Sequence, residues 1–246
     1  MAVPKVLEEL LEAGSHFGHQ VRRWNPKMAP FIYSSRDGVH VFDLTITAQK
    51  LEEACEVIKD AASKGMVIVF IGTKRQAKAI IREEAGKVKA PYIAERWMGG
   101  MITNWEQIKK RIDKMNKMGS MWDSGGYDKY TKKERVLINR EMERLDRFFG
   151  GIATLSKIPD MLFIVDTAKE KVPVKEANQV GMPIVAMIDR NCDPEDVTYP
   201  IPANDDAVRS IKYVVSRVAD AYGEGRSLFE KNRTRVGNET SDNKKN

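Results

Sequence analysis

The clearest apolar signal in the chain is Val67 to Ile71, a continuous run that is β-branched at four of its five positions. Such a run describes a strand buried on both faces, and strands of that kind belong to parallel sheets covered by helices. It stops at Gly72-Thr73. A helical period follows through Ala77, Ile80, Ile81 and Ala85, with Gly86 placed to end it. Strand, tight Gly turn and helix make half of a βαβ unit. The same grammar recurs downstream: Met161 to Val165 predicts a buried strand ending in Asp166, a helix around Val174 to Val180 stops at Gly181, and Ile184 to Ile188 predicts a strand ending in Asp189. Tyr92-Ile93 is a short strand, and Pro200 to Pro202 an edge piece, because prolines exclude a central position. Upstream, Val6 to Ala13 predicts a short helix ended by Gly14. Val39 to Phe42 reads as a first strand, with Thr45 or Thr47 capping a helix through Leu51, Cys55 and Ile58. Asn204 caps a last helix through Ala207, Ile211, Val214, Val215 and Val218, which Gly223 ends. The pattern predicts an α/β fold with three α/β/α layers, flavodoxin- or Rossmann-like, around a mostly parallel sheet.

One stretch departs from it. Trp105, Ile108, Ile112, Met115 and Met118 form a heptad-like seam, and a second seam runs through Ile138, Met142, Leu145 and Phe149. The polar stretch Gly119 to Tyr130 separates them, which predicts an inserted antiparallel coiled-coil helical hairpin. The expected organisation is an α/β domain from 1–102 and 150–223 with an N-terminal extension, a hairpin insertion at 103–149, and a flexible basic tail at 224–246.

Charge adds a direction. Lys and Arg number 41 against 35 Asp and Glu, a formal +6, which points weakly toward a polyanionic partner. The outer faces of the hairpin carry Lys109, Lys110, Arg111, Lys114, Lys117, Lys132, Lys133, Arg140, Arg144 and Arg147. Solvation alone accounts for charges on a coiled coil, but the excess of cations favours a polyanion-facing arm. Cys55 and Cys192 are the only cysteines and fit a reducing compartment. No apolar stretch reaches transmembrane length, and the acidic amphipathic N-terminus differs from a secretory signal, so the expected location is cytoplasmic.

Ser15 to Pro30 crowds two of the three histidines, Trp24, Arg22, Arg23 and Lys27 into a segment without a period. His16 and His19 could make half of a metal site, but further soft ligands are sparse, and no metal or cofactor is expected. Packing onto the domain explains the segment in one way. RNA contact explains it in another, with Arg for phosphates and Trp and His as stacking surfaces. Lys74 and Arg75 at the start of the helix after Gly72 read either as two solvated cations or as a phosphate seat. There is no Walker A or GxGxxG pattern to make that a nucleotide site.

An enzyme reading rests on the carboxylates at strand ends: Asp43, Asp166, Asp189 and Asp193, with Asp205 and Asp206 beyond. Clustered there, they could hold Mg²⁺ for phosphoryl transfer. Against it, Asp205 and Asp206 suit a helix first turn, Asp193-Pro194 a turn, and no nucleophile–base pair is readable. A transcription regulator would need a helix-turn-helix, and the hairpin helices are too long and too seamed for one.

Several motifs carry a resemblance: SHFGH, RRWNPKM, RDGVHVFDL, IGTKRQA at 71–77, ERWMGGMITN at 95–104, FFGGI at 148–152, PDMLFIVDTAKE at 159–170 and DRNCDPEDVTYPIPANDDAVRSI at 189–211. In this order they resemble the bacterial-type small-subunit ribosomal proteins of the S-two family, nearly to Ala221. Arg190, Glu195 and Phe148-Phe149 are small departures. The resemblance implies a structural component of the small ribosomal subunit, at the junction of head and body on the solvent side. It implies binding to small-subunit ribosomal RNA and neighbouring ribosomal proteins, with a projecting hairpin. It further implies, for some bacteria, an anchor for the S-one ribosomal protein. It implies neither a membrane nor an autonomous homo-oligomer, and either a bacterial or an organelle-encoded source fits. Arg96, Trp97 and Asn104, in ERWMGGMITN, join the expected RNA-binding residues.

Overall fold

The computed structural model describes residues 5–20, 24–36 and 39–242, and their side chains except at 18–20, 36, 39 and 235–242. Helix α1 (Lys5–Glu12) ends at Gly14, whose φ of +72° suits glycine. Three short strands follow: β1 (Phe17–Gln20), β2 (Ile32–Arg36) and β3 (Val39–Phe42). They form a separate antiparallel sheet in the order β1-β3-β2. Val39 to Phe42 is therefore not the first strand of the main sheet. Its Val/His alternation is that of a strand with unlike faces, whereas a central parallel strand needs unbroken apolar residues. The segment without a sequence period also acquires structure, since Asn25 caps a 3₁₀ helix over Pro26–Phe31 that buries Met28. Helix α2 (Leu44–Ser63) is capped by Asp43, whose side chain accepts from the Thr45 N–H at 2.8 Å. The expected cap Thr47 is buried instead and donates its hydroxyl to the Pro202 carbonyl at 2.6 Å.

The main sheet begins at β4 (Ile68–Ile71), followed by α3 (Lys78–Lys87), the short β5 (Tyr92–Ile93), and helices α4 (Trp105–Asp123) and α5 (Lys132–Phe149). Then come β6 (Met161–Val165), α6 (Lys171–Gln179), β7 (Ile184–Ile188), β8 (Tyr199–Pro202) and α7 (Val208–Asp242). The strand order is β5-β4-β6-β7-β8, and every pairing is parallel. This is the flavodoxin type of winding, with its topological switch point between β4 and β6. Every residue of β4, β6 and β7 is buried.

Alternation along the strands makes two cores. Phe70, Phe163, Val185 and Met187 pack against α2, α3 and α7. Val69, Leu162, Ile164, Ala186 and Ile188 pack against α6, Met28, Phe42 and the hairpin residues Ile108, Ile112, Met115, Leu145 and Phe149. The lower part of the hairpin seam is thus shared with the sheet.

Three helix ends differ from expectation. Helix α3 runs past Gly86 to Lys87, with Lys89 taking the positive φ. Helix α4 runs through Gly119 and Ser120 to Asp123. Helix α7 continues through Gly223, so the expected tail from 224 is helical to Asp242. The physical reason in α7 is packing. A Cβ at Gly225 would lie 2.4 Å from the Lys59 carbonyl oxygen and 2.7 Å from the Ala62 Cβ, so this glycine lets α7 press onto α2. One turn on, Phe229 covers Gly65.

Candidate nucleic-acid interface

In doubly wound sheets, ligands sit outside the carboxyl ends of the strands at the switch point. Here that crevice holds Lys74. The chain leaves β4 through Gly72, and the helix starts only at Lys78, so Lys74 lies in the turn rather than in a helix first turn. Its Nζ is 2.7 Å from Asp205 Oδ1 and 3.3 Å from Asp166 Oδ2, and it also pairs with Asp206. Burial opposes the ammonium charge, but the surrounding carboxylates outweigh it and raise the Lys74 pKa. Burial, with the charges of Asp166 and Asp189, pushes the Asp205 carboxyl up to about 7. Beside it, Glu170 accepts from the Thr73 N–H at 2.9 Å and from the Thr73 hydroxyl. Lys74 is therefore an internal counter-ion, which corrects its expected place at a phosphate. Arg75, next to it, is exposed.

The other strand-end carboxylates are also engaged. Asp43 caps α2, Asp189 accepts from the Arg190 N–H at 2.7 Å, and Asp193 holds Lys27. Asp205 and Asp206, expected as helix first-turn acids, lie before α7, which starts at Val208, and hold Lys74, while Asn204, expected as the cap, accepts from the Asp206 and Ala207 N–H groups in the turn that leads into the helix. Cys192 lies with Asp166 and Asp205, but burial pushes its thiol up to about 11, which keeps it protonated.

A second correction concerns Trp97. It is 7% exposed, and its indole N–H donates to Glu176 Oε1 at 3.0 Å, so it is a core residue rather than a stacking surface. Glu176 also accepts from the N–H groups of Gly100 at 2.8 Å, Ile102 at 3.0 Å and Thr103 at 3.3 Å. Burial works against its charge, but these donors hold its carboxyl below the usual value. The turn they organise presents Arg96 and Asn104 to solvent just before α4. No motif singles out Glu176 in the sequence. Its only signal is a charged residue on the apolar side of α6.

In the N-terminal segment, Trp24 is 38% exposed and sets its ring edge-on to buried His40, with centroids 5.0 Å apart. The Asn25 N–H donates to the Arg190 carbonyl at 2.6 Å, and Lys27 Nζ pairs with Asp193 at 2.8 Å and with Glu195. These contacts dock the segment on the loop after β7. They also neutralise Lys27, which makes it a clamp. His16 is half-buried with its ring 3.9 Å from Phe17, and burial lowers its pKa, so it stays neutral near pH 7. Arg22, Arg23 and the His19 side chain lie outside the described residues.

On the hairpin, Lys109, Lys110, Lys132 and Lys133 are all exposed, and none makes an ion pair among the described residues. Lys114, Arg135 and Arg144 do, with Glu141, Asp128 and Glu141 respectively. Thr131 and Glu134 form a capping box that starts α5, a signal legible as Thr-x-x-Glu. The structure thus leaves Arg75, Arg96, Asn104 and the four hairpin lysines on the surface and withdraws Lys74 and Trp97 into the interior. No helix of the described residues is long and apolar enough to cross a membrane.

Fold and surface together define a flavodoxin-wound α/β protein with a helical insertion, a crevice occupied by its own Lys74–carboxylate cluster and outward-facing cations. The Ribosomal protein S2 family model matches residues 10–225, and the chain belongs to that family. It is 51% identical over 226 residues to the small ribosomal subunit protein uS2 of Dictyoglomus turgidum, covering 92% of both chains. It is 50% identical over 220 residues to that of Coprothermobacter proteolyticus, covering 89% of this chain and 82% of the relative. The protein of the same description from Synechocystis is 49% identical over 220 residues, with the same two coverages.

Proposed function

We propose that this chain is a structural constituent of the small ribosomal subunit, binding its ribosomal RNA and neighbouring ribosomal proteins. The observation that carries the reading is a family match spanning residues 10–225, with about half of all positions identical to bacterial relatives described as small-subunit proteins. The surface supports it, since Trp24, Arg75, Arg96, Asn104 and the four hairpin lysines remain exposed. Phosphate contacts of that kind supply affinity and position. The crevice supports it in a different way, because Lys74 occupies the place where a small ligand would sit. In this reading the chain has no reaction to perform and resides on cytoplasmic ribosomes. Attachment of an S-one protein rests on the resemblance alone and would be read from its retention on subunits carrying this chain.

The test is sedimentation. A tagged chain should travel with small subunits through a gradient and remain bound in moderate salt. A chain that stays at the top of the gradient while folded would overturn the reading.

A further inference from the structure

Where α4 ends and α5 begins, the hairpin carries an open recess of about 690 Å³, lined by Trp122, Tyr130, Lys132, Arg135, Val136 and Arg140. Its aromatic wall is built. Tyr127 is buried and stands 6.0 Å from the Trp122 ring and 5.5 Å from the Tyr130 ring, centroid to centroid. The Arg135 guanidinium lies 5.7 Å from the Trp122 ring. Tyr130 remains 46% exposed and Val136 44% exposed. Val136 faces water from α5 and Tyr130 from the turn before it; exposed apolar side chains gathered around one recess and rimmed by polar groups mark a binding surface.

The rim supplies the occupant's charge. Lys132, Arg135 and Arg140 surround the recess with one carboxylate, Glu143, whose Oε1 already accepts from Asn139 Nδ2 at 2.7 Å. Arg135 has a counter-ion in Asp128, but that pair is 3.5 Å apart and exposed, a geometry that holds a charge only weakly. An aromatic wall below three cations matches a π-faced ligand that carries its own negative charge. A cavity of this volume has room for one nucleotide. A base inside a duplex is stacked on its neighbours and cannot reach such a wall, whereas an unpaired nucleotide can. An acidic peptide would satisfy the cations but offers the aromatic wall nothing flat to stack.

We propose that this recess is the seat of an unpaired RNA nucleotide, its base against Tyr130 and Trp122 and its phosphates among Lys132, Arg135 and Arg140. The proposal rests on the ribosomal reading above and sharpens it, from a charged arm to a site that distinguishes single-stranded from paired RNA.

The test uses the full chain with three labelled probes: a ten-nucleotide oligoadenylate, an abasic backbone of equal length, and a ten-base-pair RNA duplex. Wild type should bind the oligoadenylate most tightly. Tyr130→Ala should weaken that complex roughly ten-fold, a typical loss for one stacked base, and leave abasic and duplex binding unchanged. Tyr130→Phe keeps the ring and should bind as wild type, which guards against a loop that merely misfolds. Arg140→Gln should weaken all three probes and lower the slope of log affinity against log salt by about 0.7. Equal binding of oligoadenylate by wild type and Tyr130→Ala would overturn the proposal. So would Tyr130-dependent binding of polyglutamate without Tyr130-dependent binding of oligoadenylate, which would indicate a protein partner. A gradient run on wild type separates the two levels. If the chain enters small subunits and the Tyr130 effect is absent, the nucleotide seat alone fails; if it does not enter them, the ribosomal reading fails.

Discussion

Glu176 on α6 accepts the indole N–H of Trp97, 79 positions earlier in the chain, at 3.0 Å. The same carboxylate takes the backbone N–H groups of Gly100, Ile102 and Thr103. One side chain therefore fixes the turn from which the hairpin leaves the domain, and it does so inside the core.

Removing that acceptor strands several buried donors at once. Glu176→Ala should cost about 3 kcal/mol of stability, read as a lower urea midpoint, because unsatisfied buried groups lose their full solvation. Glu176→Gln, which keeps one carbonyl oxygen, should cost less. The carboxyl is held below its usual value, so its contribution is complete above the unfolded value near 4.5 and fades as pH falls through the folded one. An unchanged midpoint in Glu176→Ala would show that water replaces the carboxylate.

The switch-point crevice has the opposite pH signature. Asp205 is raised from 3.8 to about 7 by burial and by Asp166 and Asp189, with Lys74 opposing. Between those values the folded chain holds a proton that the unfolded chain has released, so stability from this group falls as pH rises from about 4 to 7. Asp205→Asn should flatten that decline by more than about 1 kcal/mol, measured as denaturant midpoints at pH 5 and pH 7. Parallel midpoints for the two proteins would contradict it. Lys74→Met should cost about 3 kcal/mol at neutral pH, since it leaves buried carboxylates without their cation.

These clusters also mark where the sequence stops being informative. The unbroken apolar runs at Val67 to Ile71, Met161 to Val165 and Ile184 to Ile188 announce central parallel strands, and the sheet follows from them. The hairpin helices follow from their seams. What Lys74 and Trp97 touch could not follow, because their partners Asp205 and Glu176 are brought up by tertiary contacts across 131 and 79 positions. A lysine after a Gly turn looks the same whether it faces a phosphate or an aspartate. Similarly, a glycine reads as a helix end unless the neighbouring helix is known.

That last point is testable in α7. Ala for Gly inside a helix ordinarily stabilises by up to about 1 kcal/mol. Gly86→Ala in α3, where a new Cβ meets nothing within 4 Å, should gain in this way. Gly225→Ala should lose about 1–3 kcal/mol, because its Cβ would press on the Lys59 carbonyl at 2.4 Å. Thermal melts of both variants decide it. A gain at both sites would mean that α7 does not pack closely on α2.

The hairpin lysines separate an RNA-binding arm from a passive protrusion. Lys109, Lys110, Lys132 and Lys133 are exposed and unpaired among the described residues, and the apolar residues that anchor the hairpin, Ile108, Ile112, Leu145 and Phe149, point the other way into the core. Replacing all four lysines with Glu should therefore move stability by no more than about 0.5 kcal/mol per site. Against RNA the same change sets carboxylates toward phosphates, so incorporation into small subunits should fall sharply. Lower salt cannot rescue it, because reduced screening strengthens repulsion as well as attraction. Raised Mg²⁺ should recover part of the loss by shielding the phosphates. A variant that melts like wild type and still enters subunits in full yield would show that water alone meets these lysines, and would leave the surface around Arg75, Arg96 and Asn104 to hold the RNA.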